Sequence, residues 1–217
     1  MKKESRKRFC IAACILAAFG IWTAAIRTVD VQAIGPLGST VGFAAVNRFV
    51  HRLTGVHMAL YTVTDWCSLV PLAVAAGFGL LGLMQWIKRK HLLKVDHSLL
   101  ILGAFYLAVM AVYVLFEAFA VNDRPVLING CLEASYPSST TVLVLCVMPT
   151  AAVELRARIK SKALRRCVMA AIAVFSCLMV TGRLISGVHW FTDIIGGILL
   201  SAGLVLMYRA ARSLVVR

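Results

Sequence analysis

Acidic residues are scarce in this chain: its 217 residues include only 9 Asp and Glu against 23 Lys and Arg. Charged residues of both signs make up 15% of the sequence, whereas soluble domains usually carry about 25%. The sequence also has no internal repeat, low-complexity tract or linker. These shortages exclude a soluble globular domain and argue against several domains joined by linkers.

Disulfide frameworks and metal-ligand sets are missing too. Most of the 7 cysteines lie within apolar stretches, and only Cys131 falls in a segment expected outside the membrane, so we expect no disulfide framework. His189 and Asp193 offer two metal ligands, which is too few, and Asp123 and Glu117 do not form a recognisable set with them. We therefore expect neither a metal ion nor a cofactor.

Long apolar stretches take the place of these features, since 61% of the residues are hydrophobic. A membrane-spanning helix needs about 20 apolar residues. The sequence thus predicts an all-α integral membrane protein with six transmembrane helices in one domain covering residues 1–217. The first stretch resembles a signal peptide ending near residues 23–25, but its length favours a retained anchor. The six stretches lie at about residues 9–26, 66–87, 98–121, 140–155, 167–185 and 194–208.

Most of the basic residues fall in four clusters: residues 2–8, 88–94, 156–166 and the chain after Tyr208. Because a cluster follows every second span, the positive-inside rule predicts cytoplasmic termini and places segments 27–65, 122–139 and 186–193 outside the cell membrane. This pattern favours contact with anionic lipid rather than binding of nucleic acid. Aromatic side chains near span ends are expected to be interface anchors, namely Trp66, Trp86, Trp190 and Tyr208.

The external segment 27–65 is interrupted early by Gly35 and Pro36, and residues 41–60 mix apolar and polar positions. This mixture predicts an interfacial helix lying on the outer leaflet. The helix carries His51 and His57. Its polar face either turns toward water and lipid headgroups, or covers a site and supplies one of these histidines.

The second external segment carries two features suited to an anion. Arg124 precedes Pro125, which biases the arginine toward extended backbone. Further along, Ser138, Ser139 and Thr140 occupy the expected first turn of a helix. Free backbone N–H groups beside hydroxyls bind anions there, although serine and threonine are also common helix caps.

The third external segment, GRLISGVHWFTD at residues 182–193, combines Arg183, His189 and Asp193. In a helix, His189 and Asp193 would share one face, so the aspartate could accept one ring proton and leave the other nitrogen as a nucleophile. Arg183 and Arg124 would offer planar forks to phosphate oxygens. The alternatives are a metal pair, a structural histidine, or an interfacial anchor formed with Trp190.

The three motifs, R-P, P-S and G-R-x5-H-x3-D, lie in this order on one side of the membrane. Together they resemble the membrane-bound type 2 phosphatidic acid phosphatase superfamily, whose patterns are K-x6-R-P, P-S-G-H and S-R-x5-H-x3-D on a six-helix core. This superfamily includes bacterial undecaprenyl-diphosphate phosphatases and shares the acid phosphatase/vanadium-dependent haloperoxidase-like fold. The resemblance covers roughly residues 40–210.

The resemblance implies a metal-free lipid phosphatase. His189 matches the family's nucleophile, which forms a phosphohistidine, and Asp193 matches the aspartate that orients it. Arg124 and Arg183 match the phosphate-binding arginines. Ser138 matches the serine that helps hold the phosphate, with Ser139 and Thr140 beside it. The expected substrate is a lipid phosphate or an isoprenoid diphosphate.

Three positions depart from the family pattern: Glu117 replaces the first-motif lysine, Thr140 the histidine acid, and Gly182 a serine. Glu117 would repel phosphate unless it is protonated or paired, for which Arg124 is the candidate partner. Threonine donates a hydrogen bond but is no general acid near neutral pH. We expect Glu117 and Asp123 to modulate the site, together with His51 and His57, either of which is a candidate replacement acid.

These departures leave three functions open. The first is a lipid phosphatase that favours diphosphates, because a phosphate leaving group tolerates the loss of the acid. The second is a lipid-phosphate binding or transport protein that has lost turnover. The third is a phosphotransferase that passes the phosphoryl group to an alcohol. The oligomeric state does not follow from the sequence.

Overall fold

The computed structural model describes residues 2–215. Over that range the chain forms eight α-helices and two short 3-10 turns, Pro36–Gly38 and Leu92–Lys94. Among the same residues there is no β-strand, and three isolated bridges pair loop residues. The helices, in chain order, are α1 (Lys2–Thr28), α2 (Ala44–Thr54), α3 (Met58–Cys67), α4 (Leu69–Arg89), α5 (His97–Ala118), α6 (Ser139–Arg158), α7 (Lys162–Ile185) and α8 (Phe191–Val215).

Six helical segments within residues 2–215 are long and apolar enough to cross a membrane: α1, α3 with α4, α5, α6, α7 and α8. The shortest of them has 20 residues, which is sufficient for the hydrocarbon core of a bilayer. The prediction of an all-α membrane fold with six spans is therefore confirmed.

The second span begins earlier than predicted. It covers Met58–Arg89 rather than residues 66–87, because α3 and α4 meet at Ser68, whose N–H donates to the carbonyls of Thr64 and Asp65. Polar residues in α3 gave this segment an external character in the sequence. Two of these polar residues contact Arg183 of α7: Thr64 accepts a hydrogen bond from it, and Asp65 forms an ion pair with it. The loop between the first two spans thus shortens to residues 29–57.

The interfacial helix is α2, whose 11 residues are too few to cross a membrane. One face of α2 is apolar and exposed: Phe49 is 68% and Leu53 is 75% accessible. On the opposite side, Asn47 is fully buried against α8. An apolar face without a protein partner beside a polar, docked face is the pattern of a helix lying in a membrane interface.

α8 packs at the centre of the bundle because small residues let its neighbours approach. A Cβ at Gly203 would lie 2.6 Å from Leu16 of α1, and one at Gly196 would lie 2.4 Å from the ring of Tyr136. At Gly197 the nearest atom is the methyl group of Thr141 in α6, at 3.0 Å. Close helix contact through small residues is a common packing device in membranes. Here it brings the first turn of α8 against the start of α6.

Two of the four expected interface anchors are buried instead. Trp190 and Tyr208 are only 3% and 2% exposed, so the prediction that these side chains are anchors facing the lipid is wrong. Each polar tip has a protein partner: the Trp190 indole donates to the Asp123 carbonyl at 2.8 Å, and the Tyr208 hydroxyl donates to Glu154 at 2.8 Å. Trp66 and Trp86 are largely exposed, as expected of anchors.

The start of α1, the end of α8 and two loops share one end of the bundle. The hydroxyls of Ser5 and Ser213 lie 2.8 Å apart, which brings the start of α1 beside the end of α8. Arg158, at the end of α6, donates to Ser98 in the first turn of α5 at 3.2 Å. We call this the basic end, because it carries the four basic clusters. The opposite end, formed by residues 29–57, 119–138 and 186–190, is the site end.

Glu154 connects α6 to α8 at the basic end. Its carboxylate is fully buried and accepts hydrogen bonds from Arg158, from Arg212 at 2.5 Å and from the Tyr208 hydroxyl at 2.8 Å. Burying a carboxylate is costly unless it is paired and hydrogen-bonded. With three donors, Glu154 satisfies that condition and holds two helices in register.

Replacing Glu154 with alanine is expected to destabilise the protein by about 3 kcal/mol, because Arg158 and Arg212 lose the acceptor that they share. Thermal unfolding in detergent micelles measures the change. Glu154→Gln retains part of the hydrogen bonding and is expected to cost less. The control is Glu4→Ala, which removes an exposed ion pair with Arg8 and is expected to cost less than about 1 kcal/mol. Equal losses for Glu154→Ala and the control would contradict a structural role of this cluster.

Candidate active site

His189 is buried in the loop between α7 and α8. Its Nδ1 atom lies 3.1 Å from the backbone carbonyl oxygen of Ser135. A carbonyl only accepts hydrogen bonds, so Nδ1 carries the ring proton and Nε2 carries the lone pair. Nε2 is buried and has no hydrogen-bond partner. The free nitrogen is therefore the one with the electron pair that a nucleophile requires.

Burial also keeps His189 neutral. Removal from solvent lowers the pKa of His189 from 6.5 to about 4, and the charges of Arg124 and Arg183 act in the same direction. Asp193 opposes this shift because its negative charge favours the protonated ring. The result at neutral pH is an uncharged imidazole.

Asp193 lies beside His189 but is not the nearest acceptor of the ring proton. Its Oδ2 is 3.8 Å from Nδ1, an ion-pair distance rather than a hydrogen bond. The same oxygen accepts the Trp190 backbone N–H at 2.8 Å, and Oδ1 faces the amide of Asn122 at 3.4 Å. Because α8 begins at Phe191, Asp193 is in the first turn of this helix. A carboxylate at this position caps the helix by accepting the backbone N–H of the residue that precedes it, here Trp190. His189 precedes the helix, so the shared helical face expected from the sequence does not occur.

The Ser135 carbonyl and Asn122 are site groups that the sequence motifs do not identify. The carbonyl belongs to the main chain and leaves no mark in side-chain patterns. Asn122 lies two residues before Arg124, in a loop whose polar residues are unremarkable in sequence. Only the structure relates the two groups to each other: the Asn122 carbonyl accepts the backbone N–H of Ser135 at 2.9 Å.

Arg183 is almost fully buried at the end of α7. Its Nη1 donates to the Thr64 hydroxyl at 3.3 Å and lies 3.8 Å from an oxygen of Asp65. Its Nε is buried without a hydrogen-bond partner. A buried guanidinium with a free donor is costly to leave unpaired, and it favours an anion at that edge.

Arg124 presents free donors as well. Its Nε lies 3.0 Å from Glu133 Oε2, which is close enough for an ion pair, but the two groups are not aligned for a hydrogen bond. Its Nη1 is also buried and unpaired. Glu133, rather than Glu117, is therefore the carboxylate beside Arg124. Glu117 is exposed near the end of α5, so the suggested pairing with Arg124 is wrong.

The P-S motif connects the starts of α6 and α8. The backbone N–H of Ser138 donates to the Asp193 carbonyl at 3.2 Å, and its buried hydroxyl accepts a hydrogen bond from Thr141 at 3.0 Å. Ser138 precedes α6, but its side chain does not cap the helix. Thr140 is buried and Ser139 half-buried in the first turn. The unpaired backbone N–H groups of that turn retain the capacity to bind an anion.

Neither candidate replacement acid has a free ring proton at Nε2. His51 Nε2 lies 3.2 Å from the Gly187 carbonyl, and His57 Nε2 lies 2.9 Å from the Thr54 carbonyl. Since both partners are acceptors, both nitrogens carry protons that are already used. Asp123 contributes its main-chain carbonyl, which accepts the Trp190 indole N–H.

α2 holds the loop that carries His189. The Asn47 amide accepts the Thr192 backbone N–H at 3.2 Å and donates to the Thr192 hydroxyl at 3.0 Å, so it caps the start of α8 from another helix. The loop is also close to the end of α2: a Cβ at Gly187, where φ is +70°, would lie 1.9 Å from the Gly55 carbonyl oxygen. Only glycine fits that position.

Metal-binding side chains do not converge here or elsewhere in residues 2–215: no three His, Cys, Asp or Glu side chains form a group that could hold a metal ion.

Comparison with known proteins places these residues in a family context. The family model described as the PAP2 superfamily matches residues 97–215, a range that contains His189, Asp193, Arg124 and Arg183. No curated protein matches the chain. Among solved structures, the chain is similar to a transmembrane PAP2-type phosphatidylglycerolphosphate phosphatase from Bacillus subtilis, with a TM-score of 0.57 and 20% identity over 92% of this chain and 94% of that one. At this identity the likeness is one of fold.

The depressed pKa of His189 predicts a pH-dependent contribution to stability. Because the folded-state pKa is below the unfolded one, the unfolded chain binds the proton more readily between pH 6.5 and 4. His189 thus contributes stability above pH 6.5 that is lost as the pH falls toward 4. NMR of histidine-labelled protein, with the signal assigned by His189→Asn, is expected to show a neutral ring through most of that window. A midpoint at 6.5 would contradict the burial of this ring.

Proposed function

This chain belongs to the PAP2 superfamily, and on that premise we propose that it releases phosphate from a lipid phosphate or diphosphate through a covalent bond to His189. Membership and the six spans make the chain a multi-pass membrane protein of a phosphatase family. The substrate, the mechanism and the residue roles are the proposal. One observation carries it: the buried His189 Nε2 has no hydrogen-bond partner, and Arg124 and Arg183, whose charges act on this ring, also have buried donors without partners.

In the first step, the Nε2 lone pair forms a bond to phosphorus while the bond from phosphorus to the leaving oxygen breaks. Arg124 and Arg183 stabilise the charge on the phosphoryl oxygens with their free N–H groups, and Ser138, Ser139 and Thr140 provide further donors. The ring becomes positively charged as the bond forms. Asp193, at 3.8 Å, and the Ser135 carbonyl stabilise that charge and keep the proton on Nδ1.

In the second step, water attacks phosphorus and the N–P bond breaks, which returns the electron pair to Nε2 and releases dihydrogen phosphate that keeps both protons of the water. Neither step requires a metal, because the arginines provide the positive charge. If an alcohol attacked the same phosphohistidine in place of water, the phosphoryl group would pass to the alcohol and the protein would act as a phosphotransferase.

The leaving group decides the substrate preference. Thr140 is at the position of the family's histidine acid, and the Nε2 protons of His51 and His57 are donated to backbone carbonyls. Without an acid, an alkoxide leaves about 10²–10⁴-fold more slowly. A phosphate leaves without one far more readily. We therefore propose that a lipid diphosphate is a better substrate than a monoester.

The positive-inside rule supports an orientation with the basic end in the cytoplasm and the site end on the extracytoplasmic face of the cell membrane. In that orientation α2 is external, and its exposed Phe49 and Leu53 face the outer leaflet. α1 packs along α8, so the residues before 97 and the matched region share one core. This packing supports a single domain over residues 1–217.

A binding or transport protein is the second candidate. Buried arginines with free donors would hold a lipid phosphate equally well without turnover, and Thr140 and Glu117 weaken the family's catalytic set. Such a protein would keep its affinity for lipid phosphate after His189→Ala and release no phosphate.

The test compares purified protein with His189→Ala on a panel of lipid mono- and diphosphates, with a chelator and with or without an alcohol acceptor. We expect release of inorganic phosphate, faster from diphosphates, and a loss of about a thousandfold or more in His189→Ala. The matched control is His97→Ala, which alters an exposed histidine at the basic end.

Four outcomes would contradict parts of the proposal. Equal release by His189→Ala would exclude the nucleophile, and a clear monoester preference would exclude the leaving-group argument. Loss of activity with the chelator would exclude the metal-free mechanism. Binding without release by the unaltered protein would favour the binding or transport function.

A further inference from the structure

Tyr61 lies on α3, outside the region matched by the family model and outside all three sequence motifs. Its ring contacts both site arginines: the guanidinium carbon of Arg183 is 4.8 Å from the ring centroid, and the guanidinium carbon of Arg124 is 6.0 Å from it. Cations within about 6 Å of an aromatic centroid are attracted to the negative face of the ring. One side chain therefore contacts the two cations that are proposed to bind phosphate.

The two guanidinium groups are like charges in a buried place, so they repel each other. Two carboxylates compensate them only in part, because both are solvent-exposed. Asp65 is 3.8 Å from Arg183 and 57% exposed, and Glu133 is 3.0 Å from Arg124 and 41% exposed. An aromatic ring attracts both cations without adding a negative charge that would compete with phosphate. It also makes no hydrogen bond, so the N–H groups of the forks stay available.

The rest of this α3 face supports Arg183. Thr64 and Asp65 follow Tyr61 by three and four residues, which puts them on the same side of the helix. Gly182 makes the contact close: a Cβ there would lie 2.9 Å from the Thr64 methyl group. The glycine at the family's serine position thus leaves room for Thr64, which donates its hydroxyl to the Leu60 carbonyl and accepts from Arg183.

We propose that Tyr61 is a positioning residue of the phosphate site: its ring contacts both Arg124 and Arg183 and orients them so that their free donors meet one phosphoryl group. The inference rests on the proposed function and adds a residue to it. α3 then lines the site together with the loops 119–138 and 186–190. The role belongs to the ring face and not to the hydroxyl.

The experiment compares Tyr61→Phe, which keeps the ring, with Tyr61→Leu, which removes it. Two quantities are measured for each: kcat and KM for phosphate release, and the affinity for orthovanadate, which adopts the five-coordinate geometry of the transition state. We expect Tyr61→Phe to stay close to the unaltered protein. Tyr61→Leu should lose about threefold to tenfold in vanadate affinity for each guanidinium that leaves the ring, with a matching fall in kcat/KM.

The matched control is Tyr113→Leu, which alters an exposed tyrosine on α5. Thermal unfolding in the same detergent checks that every variant is folded. A loss in Tyr61→Phe as large as in Tyr61→Leu would overturn the inference, because the hydroxyl would then be the active group. Unchanged vanadate affinity and kcat/KM in folded Tyr61→Leu would overturn it as well.

Failure of this inference is distinguishable from failure of the proposed function. If the unaltered protein releases phosphate and Tyr61→Leu does so equally well, only the role of Tyr61 is wrong. If the unaltered protein binds vanadate but has no turnover, the affinities of the variants still decide the role of Tyr61. If it neither binds vanadate nor releases phosphate, both proposals fail.

Discussion

The site end depends on the pairing of one buried carboxylate, that of Asp193. A buried carboxylate requires hydrogen-bond donors. The Asp193 side chain accepts the Trp190 backbone N–H and faces the Asn122 amide, and the Asp193 main-chain carbonyl accepts the Ser138 N–H. These contacts join the loops after α5 and α7 to the starts of α6 and α8. His189 is placed by this arrangement, because its ring proton meets the Ser135 carbonyl in the same set of loops.

The two ends of the bundle use the same residue types in opposite ways. At the basic end, the buried Glu154 has three donors, and two of them are arginines. At the site end, the buried Arg124 and Arg183 have donors that remain unpaired. Satisfied buried charges hold helices together, whereas unsatisfied donors leave a place for an anion. This contrast separates the structural cluster from the candidate site without reference to motifs.

Sequence reasoning reached the six spans and brought the proposed nucleophile, its aspartate and both arginines to one place, because hydropathy and motif spacing report side chains. It failed where main-chain groups or helix faces decide. The Ser135 carbonyl, which accepts the His189 ring proton, leaves no mark in the side-chain sequence. Trp190 lies near a span end but is buried, and its indole N–H donates to the Asp123 carbonyl in a loop. Polar residues of α3 made residues 58–65 appear external, although Tyr61 and Thr64 contact the site arginines.

Covalent phosphorylation of His189 is the step that distinguishes the proposed mechanism from binding alone, and trapping the phosphohistidine is its sharpest test. The purified protein is mixed with a lipid diphosphate, quenched within one turnover at alkaline pH, where phosphohistidine is stable, and digested for mass spectrometry. We expect one phosphoryl group on the peptide that contains His189, sensitive to acid and absent from His189→Ala. Phosphate release without this adduct, or an adduct on another residue, would contradict it.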